Sequence, residues 1–367
     1  MNSSLDQLLQ AFDCVAQPVF FASAEQITYA NTAARQLLVA PGMPLDALTP
    51  GSRPVLDAVP DGAQQLPVQL AGGVYNAVAR PMEGGRLFVV QQGGPDAGTG
   101  VQLQTLASVA RTMRVPLTNL FGAAGAVFPR LEELEEPDVQ RQMSSINRAL
   151  YQLMHLSCNL GDFAAAAADE MRLLRERTEL CDFFYGVVAR TEPLCAAAGA
   201  SLACELPQKL MNAWIDRQKI ERCVLNLVSN AMRHADEPAR ISLRLLCSGK
   251  QALVQVACNQ SAFSDADLAG AFSRHATSAP LPSPNWGAGF GLPLVQHIVR
   301  LHGGAMMIGS PGSGGSVVVF SLPLSEPDAQ TVKSPIAGMD YAGGFRHELV
   351  ELADVLPLEV FDSGNVN

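Results

Sequence analysis

Two stretches of the chain carry long, regular apolar seams. Leu103, Leu106, Ala110, Met113, Leu117, Leu120, Ala124 and Val127 alternate spacings of three and four, and Val139, Met143, Ile146, Leu150, Leu153, Ser157 and Leu160 repeat the pattern. Such seams predict two helices, over about 101–128 and 138–163. Between them lies "PRLEELEEPD", with prolines at both ends and acids inside, so the pair reads as an antiparallel hairpin. A lone hairpin cannot cover both of its faces, and two copies are expected to pair into a dimeric four-helix bundle. Pro116 falls inside the first helix, where it removes a backbone hydrogen bond and is expected to bend the axis.

The pattern before the hairpin is shorter in period. Leu5, Leu8, Leu9 and Phe12 suggest an amphipathic helix; "PVFFA" and "ITYAN" read as strands, "NTAARQLL" as a small helix, and "GVYNAVARP" and "GRLFVVQQ" as strands closing a sheet. "GGPDAGTG", Gly93 to Gly100, reads as a linker.

After the hairpin, strands and helices mix. "WIDRQKIERCVLNLVSNAMRHA" is a helix with Asp216 as N-cap and Ile220, Cys223, Val224, Leu227, Val228 and Ala231 on one apolar face. "ISLRLLC" and "ALVQVAC" read as paired strands, "SDADLAGAF" opens with a capping box, and "AMMIGS" and "GSVVVFSLPL" are two more strands. A polar segment from Ser325 follows, with a short helix around "FRHELVELADVL" that either docks or stays free.

Bulk properties narrow the function. The 367 residues suffice for two or three domains, and 48% apolar against 16% charged residues supports sizeable cores. A net charge of -10 without clustered Lys and Arg argues against nucleic acid as a partner. No apolar run is long enough to span a bilayer, and the N-terminus lacks the basic-then-apolar order of a signal peptide, so a cytoplasmic protein is expected. The eight cysteines form no CxxC pair and read as free thiols rather than zinc ligands.

Candidate chemistry gathers in two places. Gly287, Gly289 and Gly291 precede "LPLVQHIVRLHGG", and a helix N-terminus suits phosphate, although tight turns use the same residues. Asn226 and Asn230 lie one helical turn apart and could hold magnesium and phosphate oxygens, with Arg233 one turn further; each could equally serve the backbone.

In this order and spacing, "NLVSNAMRHA", two strands and "GAGFGLPLVQHIVRLHGG" resemble the ATP-binding domain of sensor histidine kinases, of the GHKL type. The hairpin resembles their dimerisation and phosphotransfer domain. The segment around "ITYANTAARQLL" resembles a PAS sensor, with a small α+β domain without ligand as the competing reading. The resemblance implies a multidomain α+β chain: a PAS-like sensor at 1–95, a dimerisation hairpin at 101–165, an α/β-sandwich ATP-binding domain at 174–324 and a tail at 325–367. It implies Mg-ATP as cofactor, with Asn230 as the magnesium ligand, and places "SRHATSAPLPSPNW", including Arg274 and His275, at the mobile lid.

Two departures from the family stand out. Its bent helix reads Ser-His-Glu-Leu-Arg-Thr-Pro-Leu; aligned on Pro116 and Leu117, the phosphoryl-accepting histidine is Arg111 and the neighbouring acid is Thr112. A guanidinium stays protonated and has no lone pair to attack phosphorus. The family's Asp-x-Gly-x-Gly adenine box becomes Cys258, Gln260 and Ala262. Losing the base-specific hydrogen bond costs on the order of 1–3 kcal/mol, so Mg-ATP is expected to bind weakly or not at all. The expected function is a dimeric two-component scaffold, a pseudokinase, whose further partner is a response regulator or another kinase. The alternatives are an active histidine- or serine-type kinase with an atypical nucleotide site, and a non-enzymatic module with a plugged pocket.

Overall fold

The computed structural model describes residues 9, 11–23, 25–71, 73–91, 100–133, 136–168, 170–235, 238–259, 291–311, 314–324, 342 and 344–362. Gly287, Gly289, Gln260, Ala262, Arg274, His275, the "SDADLAGAF" helix and most of the N-terminal helix lie outside them; Leu9 is buried, and Phe12–Cys14 form a 3-10 turn.

Five strands, β1 (Val19–Ser23), β2 (Gln26–Ala30), β3 (Ala63–Leu70), β4 (Gly73–Met82) and β5 (Gly85–Val90), form an antiparallel array in the order β2-β1-β5-β4-β3. Helices α1 (Thr32–Gln36), α2 (Leu45–Leu48) and α3 (Arg53–Asp57) separate β2 from β3. Asn31 anchors the start of α1. Its Oδ1 accepts from the Ala34 amide at 2.9 Å and from that of Val19 at 3.0 Å, while its amide group donates to carbonyls of the preceding loop.

The hairpin consists of α4 (Gly100–Glu132) and α5 (Pro137–Ala167). Helix α4 is continuous through Pro116 and also runs through Pro129, so the connection is shorter than "PRLEELEEPD" implied. The two predicted seams divide. Leu117 and Leu150 are buried within this chain's own core beside Tyr151, Met154 and Cys158, whereas Met113, Leu120, Val127, Ile146 and Leu153 face outward. Leu117 and Leu150 are therefore intrachain packing residues, because the helices that follow the hairpin cover that side of it.

The remainder adds a two-stranded ladder, β6 (Glu176–Glu179) with β8 (Asn212–Ile215), and five further strands: β7 (Ser201–Glu205), β9 (Arg240–Ser248), β10 (Gln251–Cys258), β11 (Met306–Ser310) and β12 (Ser316–Pro323). Helices α6 (Leu180–Ala197), α7 (Arg217–Arg233) and α8 (Gly291–Leu301) accompany them. Six consecutive residues of β12, Val317 to Leu322, are buried, which is the signature of a strand covered on both faces. Val254, Val256 and Phe320 belong to the large core that includes residues of α6, α7 and α8. On the other face, Val55 and Val59 of the α3 region pack with Leu253, Met307, Val317 and Val319.

The two arrays join into one ten-stranded sheet, β2-β1-β5-β4-β3-β11-β12-β10-β9-β7. At the seam Ala63 faces Ser310, Gln64 faces Gly309 and Gln65 faces Ile308, antiparallel. Gly62 permits this approach: a Cβ there would lie 2.1 Å from the Ser310 carbonyl oxygen.

The tail docks. Helix α9 (His347–Leu352) and a 3-10 turn, Leu358–Phe361, form a strap across α5 and α7, with Leu349, Leu352, Leu356 and Phe361 fully buried. Phe345 lies 4.1 Å from Phe121 and 5.1 Å from Tyr151, centroid to centroid, so strap and hairpin share an aromatic cluster.

Candidate functional site

Helix α7 carries the candidate residues Asn226, Asn230 and Arg233. Asp216 caps it, accepting from the Lys219 amide at 3.1 Å. The same residue's amide donates to His302 Nε2 at 3.0 Å, and His302 Nδ1 lies 2.8 Å from the Ile298 carbonyl. The ring accepts at Nε2 and donates at Nδ1, so it is neutral; burial lowers its pKa to about 4. This bond fastens the end of α8 to the beginning of α7. The predicted apolar face of α7 is buried, with Ala231 partly so.

At the other end of α8, Gly291 sits against α7. A Cβ on Gly291 would lie 2.6 Å from Asn226 Oδ1 and 3.6 Å from Asn230 Nδ2. The fold thus brings together Asn226, Asn230 and Gly291, with Arg233 one turn further along α7. Cys258 ends β10, buried and paired with Ile241 and Ser316. Arg111 and Thr112 lie on α4, beside Ala110, whose carbonyl accepts from Ser157 Oγ of α5 at 2.8 Å.

The strap delivers two carboxylates to this face. Asn226 Nδ2 donates to Glu351 at 2.7 Å, and Arg233 Nη2 donates to Asp354 at 3.0 Å. Arg222, among the largest fully buried side chains, approaches Glu351 at 2.8 Å, donates to Asn159 Oδ1 at 2.6 Å and pairs with Asp162. His155 of α5 lies 3.4 Å from Glu351 and 3.7 Å from Asp354. Amide, guanidinium and imidazolium donors converge on two acids, and three helices meet there: α5, α7 and α9.

The cluster sets its own titration. Burial opposes charge on His155, but Asp354 and Glu351 outweigh it and raise its pKa to about 9. Burial likewise pushes Glu351 up, and Arg222 and His155 more than reverse this, holding it below the usual carboxylate range. The hydrogen bond from His155 holds Asp354 low as well. A raised histidine stabilises the folded state fully below its ordinary 6.5 and loses that contribution as pH climbs through about 9. The depressed acids contribute above their ordinary range and lose it in acid. Docking of the strap is therefore expected to be tightest between about pH 5 and 6.5. Protection factors of the Leu349–Leu356 amides, corrected for intrinsic exchange, should fall on the order of tenfold by pH 9.5; a flat profile would refute this account.

Arg222, His155, Glu351 and Asp354 were not singled out from the sequence. A signal existed in an acid inside the apolar run "LVELAD" and an arginine beside Cys223 in a buried helix.

Residues 215–326 match the family model described as histidine kinase-, DNA gyrase B-, and HSP90-like ATPase. The alginate biosynthesis sensor protein KinB of Pseudomonas aeruginosa is 26% identical over 224 residues, 61% of this chain and 37% of that protein. The adaptive-response sensory kinase SasA of Parasynechococcus marenigrum is 23% identical over 230 residues, 62% of this chain and 58% of that protein. The chain thus spans less than two thirds of the length of these curated relatives. Among solved structures, histidine kinase ThkA in complex with response regulator protein TrrA aligns with 16% identity and a TM-score of 0.41, over 89% of this chain and 99% of that one. Residues 215–326 thus form a GHKL-type ATPase domain, and the chain is similar to sensor histidine kinases. Among the described residues no helix is long and apolar enough to cross a membrane, and no group of three His, Cys, Asp or Glu side chains could hold a metal ion.

Proposed function

We propose that this chain is a pseudokinase: a dimeric two-component scaffold that forms no phosphohistidine, with a PAS-type sensor at its N-terminus and a response regulator or another kinase as its further partner. The observation that carries this reading is Arg111 on α4, at the position aligned with the family's phosphoryl acceptor. Phosphoryl transfer depends on a positioned nucleophile in line with the nucleotide, and a guanidinium is not one. Thr112 supplies no carboxylate in place of the neighbouring acid.

Dimerisation is supported by the outward stripe on the hairpin. Met113, Leu120 and Val127 recur every seven residues on α4, and Ile146 and Leu153 are spaced alike on α5. Mg-ATP is the family's cofactor, with Asn230 as the magnesium ligand and Asn226, Arg233, Gly287, Gly289 and Gly291 around the phosphates. The present arrangement does not fit a triphosphate there, because Asn226 and Arg233 are already bonded to Glu351 and Asp354. That occupancy favours a second reading, a non-enzymatic module with a plugged pocket, which shares the absence of phosphohistidine.

Incubation with labelled ATP and separation by acid and base lability tests the reading. Wild type is expected to carry no acid-labile, base-stable label on Gly100–Glu132, and Arg111→His alone is expected to carry none, because Thr112 and the Cys258 region are unchanged. Stoichiometric label of that kind on the wild-type helix would overturn the pseudokinase reading.

A further inference from the structure

We propose that the strap from Phe345 to Asp362 is an intramolecular ligand of the anion-binding side of α7, and that phosphate-bearing ligands reach Asn226 and Arg233 only when it leaves. The inference rests on α7 being the nucleotide-facing helix. It names what governs that face.

The chemistry of the cluster supports it. Asn226 Nδ2, the Arg222 and Arg233 guanidiniums and the His155 imidazolium are all donors, and they converge on Glu351 and Asp354. Such a set suits a polyanion, and carboxylates satisfy it by the same charge-assisted bonds that phosphate oxygens would make. Glu351 is completely buried. An acid would not be placed there without these donors, nor the donors without an anion.

The apolar part of the strap makes occupancy persistent. Leu349, Leu352 and Phe361 are fully buried in the core shared with α5 and α7. Asn147 Nδ2 of α5 donates to the Phe361 carbonyl at 3.0 Å, and Ser144 donates to Asp362. Asp162 and Asn159 hold Arg222 from the hairpin side. The strap therefore does two things at once: it fills the anion face of α7, and it fastens α7 to the hairpin. Release would expose the donors and remove one of the links between α7 and α5, leaving the direct contacts of Arg222 with Asp162 and Asn159.

The experiment uses the full chain. Wild type is compared with Leu349→Ser/Leu352→Ser, which weakens the anchor, and with Glu351→Gln/Asp354→Asn, which keeps the apolar packing. Magnesium pyrophosphate, which needs no adenine site, and Mg-ATP are titrated by calorimetry, while hydrogen exchange of the strap amides reports release. Pyrophosphate is expected to bind the anchor variant at least tenfold more tightly than wild type, with a smaller gain for the charge variant. A synthetic 342–362 peptide should suppress the gain, and the same peptide carrying Glu351→Lys should not. Equal binding by wild type and both variants, or no binding by a variant whose strap exchanges freely, overturns the proposal. Phosphohistidine on α4 is a separate readout, so failure of the pseudokinase reading and failure of the strap are distinguishable.

Discussion

Arg222→Met is expected to destabilise the protein by about 3–5 kcal/mol, the range for removing one partner of a buried ion pair. That is a large share of the roughly 5–15 kcal/mol that separates folded from unfolded states. The argument turns on what is left behind. Methionine roughly preserves volume and apolar contact, so cavity formation is a minor part of the loss. Glu351, completely buried, keeps Asn226 and His155, and Asp162 keeps Lys219 at 3.8 Å. Both acids are held below their ordinary pKa largely by Arg222, against burial. Without it they either stay charged at high cost or take up protons. The companion variant Arg222→Met/Glu351→Leu/Asp162→Leu should recover part of the loss, because Arg222 and its two acids are replaced together by apolar groups while His155 keeps Asp354. Urea unfolding of the three proteins measures this. A loss under about 1 kcal/mol for the single variant would mean that the cluster is solvated rather than buried.

The same cluster marks where sequence reading stops. Helix α7, its Asp216 cap and its apolar face were legible because they depend on residues within a few turns of each other. So were β9 and β10, whose alternating burial follows from local pattern. The pairing of Arg222 with Glu351 joins residues 129 positions apart, and no local period encodes it. Strand β3 escaped for a different reason. Its sequence, "AQQLPVQL", has a proline and three glutamines, yet Gln64 and Gln65 are fully buried. Gln64 is satisfied by its own fold: its Oε1 accepts from Arg86 at 2.7 Å and its amide donates to the Leu56 carbonyl at 3.3 Å. A buried amide with partners at both ends, as at Gln64, defeats a reading that equates strand interiors with apolar residues. The join of β3 to β11 was equally hidden, since edge pairing relies on backbone groups that every residue carries.

In the hairpin one apolar period serves two kinds of packing. The sequence period alone does not separate the half that packs within the chain from the half that faces outward. The structure assigns Leu117 and Leu150 to the chain's own core and leaves the other half outside. Charge at Leu117 and Leu150 would therefore unfold the chain, not merely separate two copies.

Leu120→Glu/Leu153→Glu is accordingly the pair expected to convert a dimer into folded monomers. Both side chains are exposed in the single chain, 56% for Leu120 and 41% for Leu153, so glutamate there can remain hydrated in a monomer. In a dimer the stripe of Met113, Leu120, Val127, Ile146 and Leu153 would face the same stripe of a second copy across a two-fold axis. Each leucine withdrawn from water contributes about 1.5 kcal/mol or more, and the symmetric pair removes four of them per dimer. Desolvation of four carboxylates against the seam adds to the loss. Together these terms exceed about 6 kcal/mol, a weakening of the dimer on the order of 10⁴-fold. Light scattering should give twice the chain mass for wild type and the single-chain mass for the variant, with circular dichroism and thermal midpoint little changed. A monomeric wild type, or a variant that remains dimeric, would show that this stripe is not the interface. A variant that loses its helical signal would place Leu120 or Leu153 inside the fold, contrary to their exposure.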